Sequence, residues 1–246
     1  MVDEPLYVRH AAAADRGAWS VERDIRWTEI DREKAYARPA ILSALRDAAL
    51  IESYHPVHLA RLLASTRDDI DAGVAFSLEL YEGFKHFHAL RRYLEAIDFE
   101  PRITDDELVR IRTGNEAAEP AESGDAPPIA QLVDFMLSEH LAAYFFRRLG
   151  EQALEPVLAE LLELIAADEV RHAQSASDLI AKRISADPAL VPHVLDAAVH
   201  FRHYGESAVG AVPVAQPGDP LAIRTFARRI ERLCGIRLVD HLKASL

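Results

Sequence analysis

The chain has 246 residues, half of them apolar, and carries 40 acidic side chains against 28 basic ones, for a formal net charge of −12. That length can bury a sizeable core, no run long enough to span a bilayer is free of charge, and the acidic excess argues against binding to nucleic acid or a membrane surface. A single cysteine, Cys234, excludes a disulfide framework and a cysteine metal knuckle. Without a basic-then-apolar leader, the expected location is cytoplasmic.

In chain order, apolar residues recur at three- and four-residue spacing over about 41–65, 70–97, 130–149, 153–184, 188–204 and 219–242, which predicts helices and an all-α fold. The polar stretch 66–69 supplies N-cap residues and reads as a helix–helix turn, and Gly150 offers a C-cap for a second. Residues 113–128 hold three prolines and two glycines. Each flanking hairpin, about 41–97 and 130–184, has an apolar face, so this stretch reads as a crossover within one bundle and one domain over 1–246. A second loop is expected over 209–220. The helix beyond it carries Arg224, Arg228, Arg229, Arg232, Arg237 and Lys243, a basic patch or simply a solvated face. Tyr81, Tyr144 and Tyr204 are expected in the core.

Glycine-rich phosphate loops and a nucleophile elbow are absent from the sequence. What stands out is glutamate and histidine on helices. Glu169 and His172 are three apart, so both reach one side of a helix, and Glu52 and His55 repeat the spacing. Glu52 lies 30 residues before Glu82, with midpoint Arg67, and Glu139 lies 30 before Glu169, with midpoint Leu154. In an antiparallel hairpin such pairs stand level, here about 22 Å from each turn. Two packed hairpins would gather Glu52, Glu82, His86, Glu139, Glu169 and His172. Unpaired, those carboxylates would be costly to bury, and two divalent cations remove the objection. An alternative bundle would use Glu22 with Glu52 and His55, and His55 is also a candidate extra ligand. His88 and His140 are expected to lie outside the ligand set.

Asp168-Glu169-Val170-Arg171-His172, Glu139 in its helix, Glu52 with Pro56 four residues on, Lys85-His86, and the Trp19 to Trp27 segment together resemble the ferritin-like non-haem di-iron oxygenases, most closely the soluble acyl-carrier-protein desaturases. That resemblance implies a ferritin-like four-helix bundle with flanking helices, two iron ions, dioxygen as co-substrate, and an external electron donor such as ferredoxin or a reductase. It implies hydroxylation, N-oxygenation or desaturation of a small or carrier-tethered organic substrate, and a homodimer is compatible with it. It also implies that Asp168 holds His86 and that Arg171 pairs with buried acids. The chain departs from the family in two places. Matching Lys85-His86 to Arg171-His172 sets Gly83 opposite Glu169 and Glu82 opposite Asp168, so Glu82, or Glu79 one turn earlier, must replace the missing ligand. Ala142 stands where desaturases carry a threonine. An iron-storage protein and a metal-deficient interaction bundle are the alternatives.

Overall fold

The computed structural model describes residues 4–118, 128–203, 205, 209 and 220–244. These form an all-α structure with ten α-helices. They are α1 (Leu6–Gly17), α2 (Arg32–Tyr36), α3 (Pro39–Ser65), α4 (Ile70–Ala96), α5 (Asp105–Ala118), α6 (Pro128–Gln152), α7 (Pro156–Ala186), α8 (Val191–Val199), α9 (Pro220–Cys234) and α10 (Leu238–Ala244). No helix among the described residues is long and apolar enough to cross a membrane.

The four long helices, α3, α4, α6 and α7, have 25 to 31 residues each, or about 40 Å of rod. Their ends follow local chemistry. Pro39 and Pro156 sit in first turns, where a missing N–H costs nothing. Asp69 caps α4 by accepting from the Asp71 amide, and buried Glu155 caps α7 by accepting from the amides of Val157 and Leu158. Pro56 lies inside α3, so the carbonyl of Glu52 loses its helical donor without ending the helix.

α3 packs on α4, α6 packs on α7, and the hairpins meet through α4–α7 and α3–α6. Two apolar cores occupy opposite ends of the bundle. One gathers Leu42, Leu45, Leu90, Tyr93, Phe146, Leu161 and Ile165. The other gathers Leu59, Leu62, Phe76, Leu132, Phe135, Leu179 and Ile180. The α3–α4 turn lies at the second end and the α6–α7 turn at the first, so α4 and α6 run the same way and a long crossover must join them.

Several expectations are corrected. Gly150 does not end α6, which runs on to Gln152. A Cβ there would stand 3.5 Å from the carbonyl oxygen of Ala159, so the glycine serves close approach of α7. The crossover is helical up to Ala118; 119–127 lie outside the described residues. The helix expected over 188–204 is a 3-10 turn, Pro188–Leu190, followed by α8. That expected over 219–242 breaks at Gly235, whose φ of 68° is left-handed. The loop over 209–220 falls almost wholly outside the described residues, as does Tyr204. Tyr81 is 69% exposed instead of buried, and Tyr144 is half-buried. Helices α1 and α5 come as additions; α1 lies across α4 and α7.

Candidate metal centre

Between the two apolar cores lies a band of buried polar side chains: Glu52, His55, Glu79, Glu82, His86, Glu139, Asp168, Glu169 and His172. Two groups within it could each hold a metal ion. Glu52, His86 and Glu169 form one, and Glu79, Glu139, Glu169 and His172 form the other, each with ligand atoms within 4.8 Å of one another. Glu169 belongs to both.

Five of the six candidate ligands, Glu52, His86, Glu139, Glu169 and His172, therefore come together, and Glu79 stands where Glu82 was expected. Glu82 lies behind His172, accepting at 2.7 Å from Nε2 of that ring and at 2.7 Å from Arg171. Gly83 explains the exchange. A Cβ there would be 2.9 Å from His55 Nδ1, so the His55 ring fills the space that a glutamate on Gly83 would need. His55 lies 3.3 Å from Glu52 and 3.1 Å from Glu79. The sequence signal was available: His55 and Glu79 are also symmetric about Arg67.

The outer side chains repeat this order. Glu82 precedes Gly83 and His86 by the same steps with which Asp168 precedes Glu169 and His172. Each acid serves the histidine of the other helix. Asp168 Oδ2 is 3.0 Å from Nε2 of His86, as Glu82 Oε2 is 2.7 Å from Nε2 of His172. Both Nδ1 atoms thereby face the carboxylates, at 2.9 Å from Glu169 for His86 and 2.8 Å from Glu79 for His172. Arg171 donates to Asp168 and to Glu82 at 2.6 and 2.7 Å. Lys85 lies 2.9 Å from Asp168 and 4.3 Å from the centre of the Trp19 ring, whose Nε1 donates to Asp168 at 2.8 Å. The indole is parallel to the His86 ring within 7°.

Electrostatics agree with a cation-seeking site. Burial opposes protonation of His86, yet Glu169, Asp168 and Glu52 outweigh it and hold its pKa well above the usual value. His172 is raised the same way, burial being outweighed chiefly by Glu79, Glu139 and Glu169. Burial and the facing Glu169 and Glu79 push Glu139 well up. Asp168 is the opposite case: despite burial, His86, Lys85 and Arg171 hold its carboxyl far below the ordinary range.

The orphaned atoms give a direct test of fit. His86 Nδ1 and Glu169 Oε1 are 2.9 Å apart, yet neither has a hydrogen-bond partner among the described residues, and Glu79 Oε1 has none either. Buried polar atoms without partners are costly. Once the His86 proton is displaced these atoms offer lone pairs to shared space, and their imidazole-and-carboxylate chemistry suits first-row divalent metals.

The remaining candidates lie elsewhere. Glu22 is 65% exposed and pairs with Arg92, which removes the alternative bundle. His88 is half-exposed, 3.7 Å from Glu22, and His140 meets Thr225 at 3.1 Å.

Fold and site thus define an all-helical protein with a buried carboxylate–histidine cluster that could hold metal ions. No family model matches the chain, and no curated protein matches it.

Proposed function

We propose that the chain is a ferritin-like di-iron oxidoreductase that uses dioxygen and external electrons to oxidise a small organic substrate. The observation carrying this reading is that Glu169 is common to both groups, which suits one carboxylate placed between two cations. Glu52 and His86 would complete one site, and Glu79, Glu139 and His172 the other. The irons, when bound, would supply the oxidising power and take electrons from a redox partner such as ferredoxin or a reductase.

The protein's own work is positional. Asp168 and Glu82 fix the ring orientations of His86 and His172. The apolar cores above and below exclude water. A cavity of about 250 Å³ reaches Glu79 and His172, which favours an organic substrate over storage of iron alone. Ala142 offers no hydroxyl, so proton delivery differs from that of the desaturases the sequence resembles.

Anaerobic loading with ferrous iron followed by air tests the proposal. Two irons per chain and near-ultraviolet absorbance are expected, with the absorbance lost in Glu169→Ala. Fewer than one iron per chain would sink the assignment.

A further inference from the structure

Helix α9 departs from the charge of the rest of the chain. The protein carries a formal net charge of −12, yet α9 holds four arginines and a single acid, Glu231. Arg224, Arg228 and Arg232 recur at every fourth residue, which sets them in one row along the helix, and all three are exposed. The row is about 12 Å long. None of the three meets a carboxylate among the described residues, whereas exposed Arg26, Arg32 and Arg148 each do.

The acids on neighbouring helices are already engaged. On α8 Asp196 pairs with His241, on α10 Asp240 pairs with Arg237, and on α7 Asp178 is met by Arg9 and His10. Glu231 itself is half-buried. The row is therefore a positive strip on an acidic molecule, and screening over about 8–10 Å keeps remote acids from cancelling it at close range.

Position ties the strip to the metal band. Arg229 Nη1 donates at 3.0 Å to the carbonyl of Ala173, the residue after His172. Thr225 lies 3.1 Å from His140, the residue after Glu139. These contacts and buried Ile230 mark the inner side of α9, and the arginine row runs along its solvent side. One helix thickness, about 10 Å, separates that row from the backbone beside two candidate ligands. Past the bend at Gly235, Ile236, Val239 and Leu242 are 41 to 46% exposed and add apolar area at the end of the strip.

We propose that the solvent side of α9 docks a small acidic electron-carrier protein, whose carboxylates meet Arg224, Arg228 and Arg232. A membrane or duplex nucleic acid fits less well, because an extended polyanion would also meet the acidic remainder of the surface. A strip this short suits the small interfaces of redox encounters, below about 1,200 Å². The electron-carrying role rests on the proposed function: each encounter oxidises one carrier by one electron, and two encounters take two ferric ions to ferrous. Docking itself can be measured without iron.

Calorimetric titration of metal-free and iron-loaded protein with an acidic ferredoxin tests the proposal. One-to-one binding at low salt is expected, weakened at least about tenfold at about 0.2 M salt. Reversing the row with Arg224→Glu, Arg228→Glu and Arg232→Glu should weaken binding at least about tenfold. Arg102→Glu, Arg110→Glu and Arg112→Glu make the same change in net charge on and before α5, which packs on α3, and should weaken it far less. Both variants should keep their helix content and iron uptake. Equal losses in the two variants overturn the proposal, as does absence of ferredoxin binding at about 0.1 mM. Tighter binding of anionic vesicles or duplex DNA than of ferredoxin also overturns it, and a dimer dissolved by the α9 reversal would assign the face to a second copy instead. Ferredoxin docking without iron uptake would leave the docking face standing and remove the di-iron reading; iron uptake without docking would do the reverse.

Discussion

Two glycines in α4 provide a matched experiment on the architecture of the site. Gly73 has nothing within 4 Å of where a Cβ would stand, whereas a Cβ on Gly83 would be 2.9 Å from His55 Nδ1 and 3.1 Å from its Cγ. Both sit inside a 27-residue helix, so alanine at either gains about 0.8–1 kcal/mol of helix propensity. At Gly83 that gain meets an overpacking cost. His55 is fully buried, held between Glu52 and Glu79 and set edge-on to Phe135, so the ring has little room to retreat. Forcing an extra carbon into such a place costs about 1–3 kcal/mol. Gly73→Ala should therefore stabilise the metal-free protein by about 1 kcal/mol, and Gly83→Ala should be neutral or destabilising by up to about 2. Urea unfolding of both variants measures the difference. Adding His55→Ala to Gly83→Ala should recover the steric part, seen as a coupling energy in the double-mutant cycle. Equal stabilisation by both glycine substitutions would refute the view that His55 occupies the space facing Gly83.

Further outcomes are expected. Burial raises the Asp134 carboxyl to about 7; a group bound more tightly to its proton in the fold than in the unfolded chain loses stability as pH rises from about 4 to 7. Asp134→Asn should thus leave stability unchanged near pH 4 and raise it by about 2 kcal/mol at pH 8, water access reducing the full shift; an equal effect at both pH values in thermal melts would contradict this. The Glu155 carboxylate accepts from the amides of Val157 and Leu158 and from the Tyr93 hydroxyl, so Glu155→Ala should cost about 2–3 kcal/mol in denaturant unfolding. Glu79→Ala should lose one metal equivalent by elemental analysis, while Glu82→Gln should keep both and bind them more weakly; the reverse order would restore Glu82 as the ligand.

Much of this was legible in sequence because long apolar periodicities announce long helices. The four long helices lie within a few residues of expectation, and the symmetry about Leu154 brings Glu139 and Glu169 together as the spacing required, whereas that about Arg67 joins His55 to Glu79 in place of Glu52 to Glu82. Helix α1 was not legible: it has only 12 residues, and its large apolar side chains, Leu6, Tyr7 and Val8, all fall in its first turn. Helix α5 has a strongly charged first turn, and its burial rests on Leu108 and Ile111 against the core. Glu79 was harder to choose than Glu82 because the deciding fact, the His55 ring facing Gly83, is a contact between two helices.

Iron K-edge anomalous diffraction from crystals of iron-loaded protein tests the central claim most directly. Two peaks are expected about 3.5–4 Å apart, one among Glu52, His86 and Glu169 and the other among Glu79, Glu139, Glu169 and His172. A single peak, or peaks away from Glu169, would contradict the account.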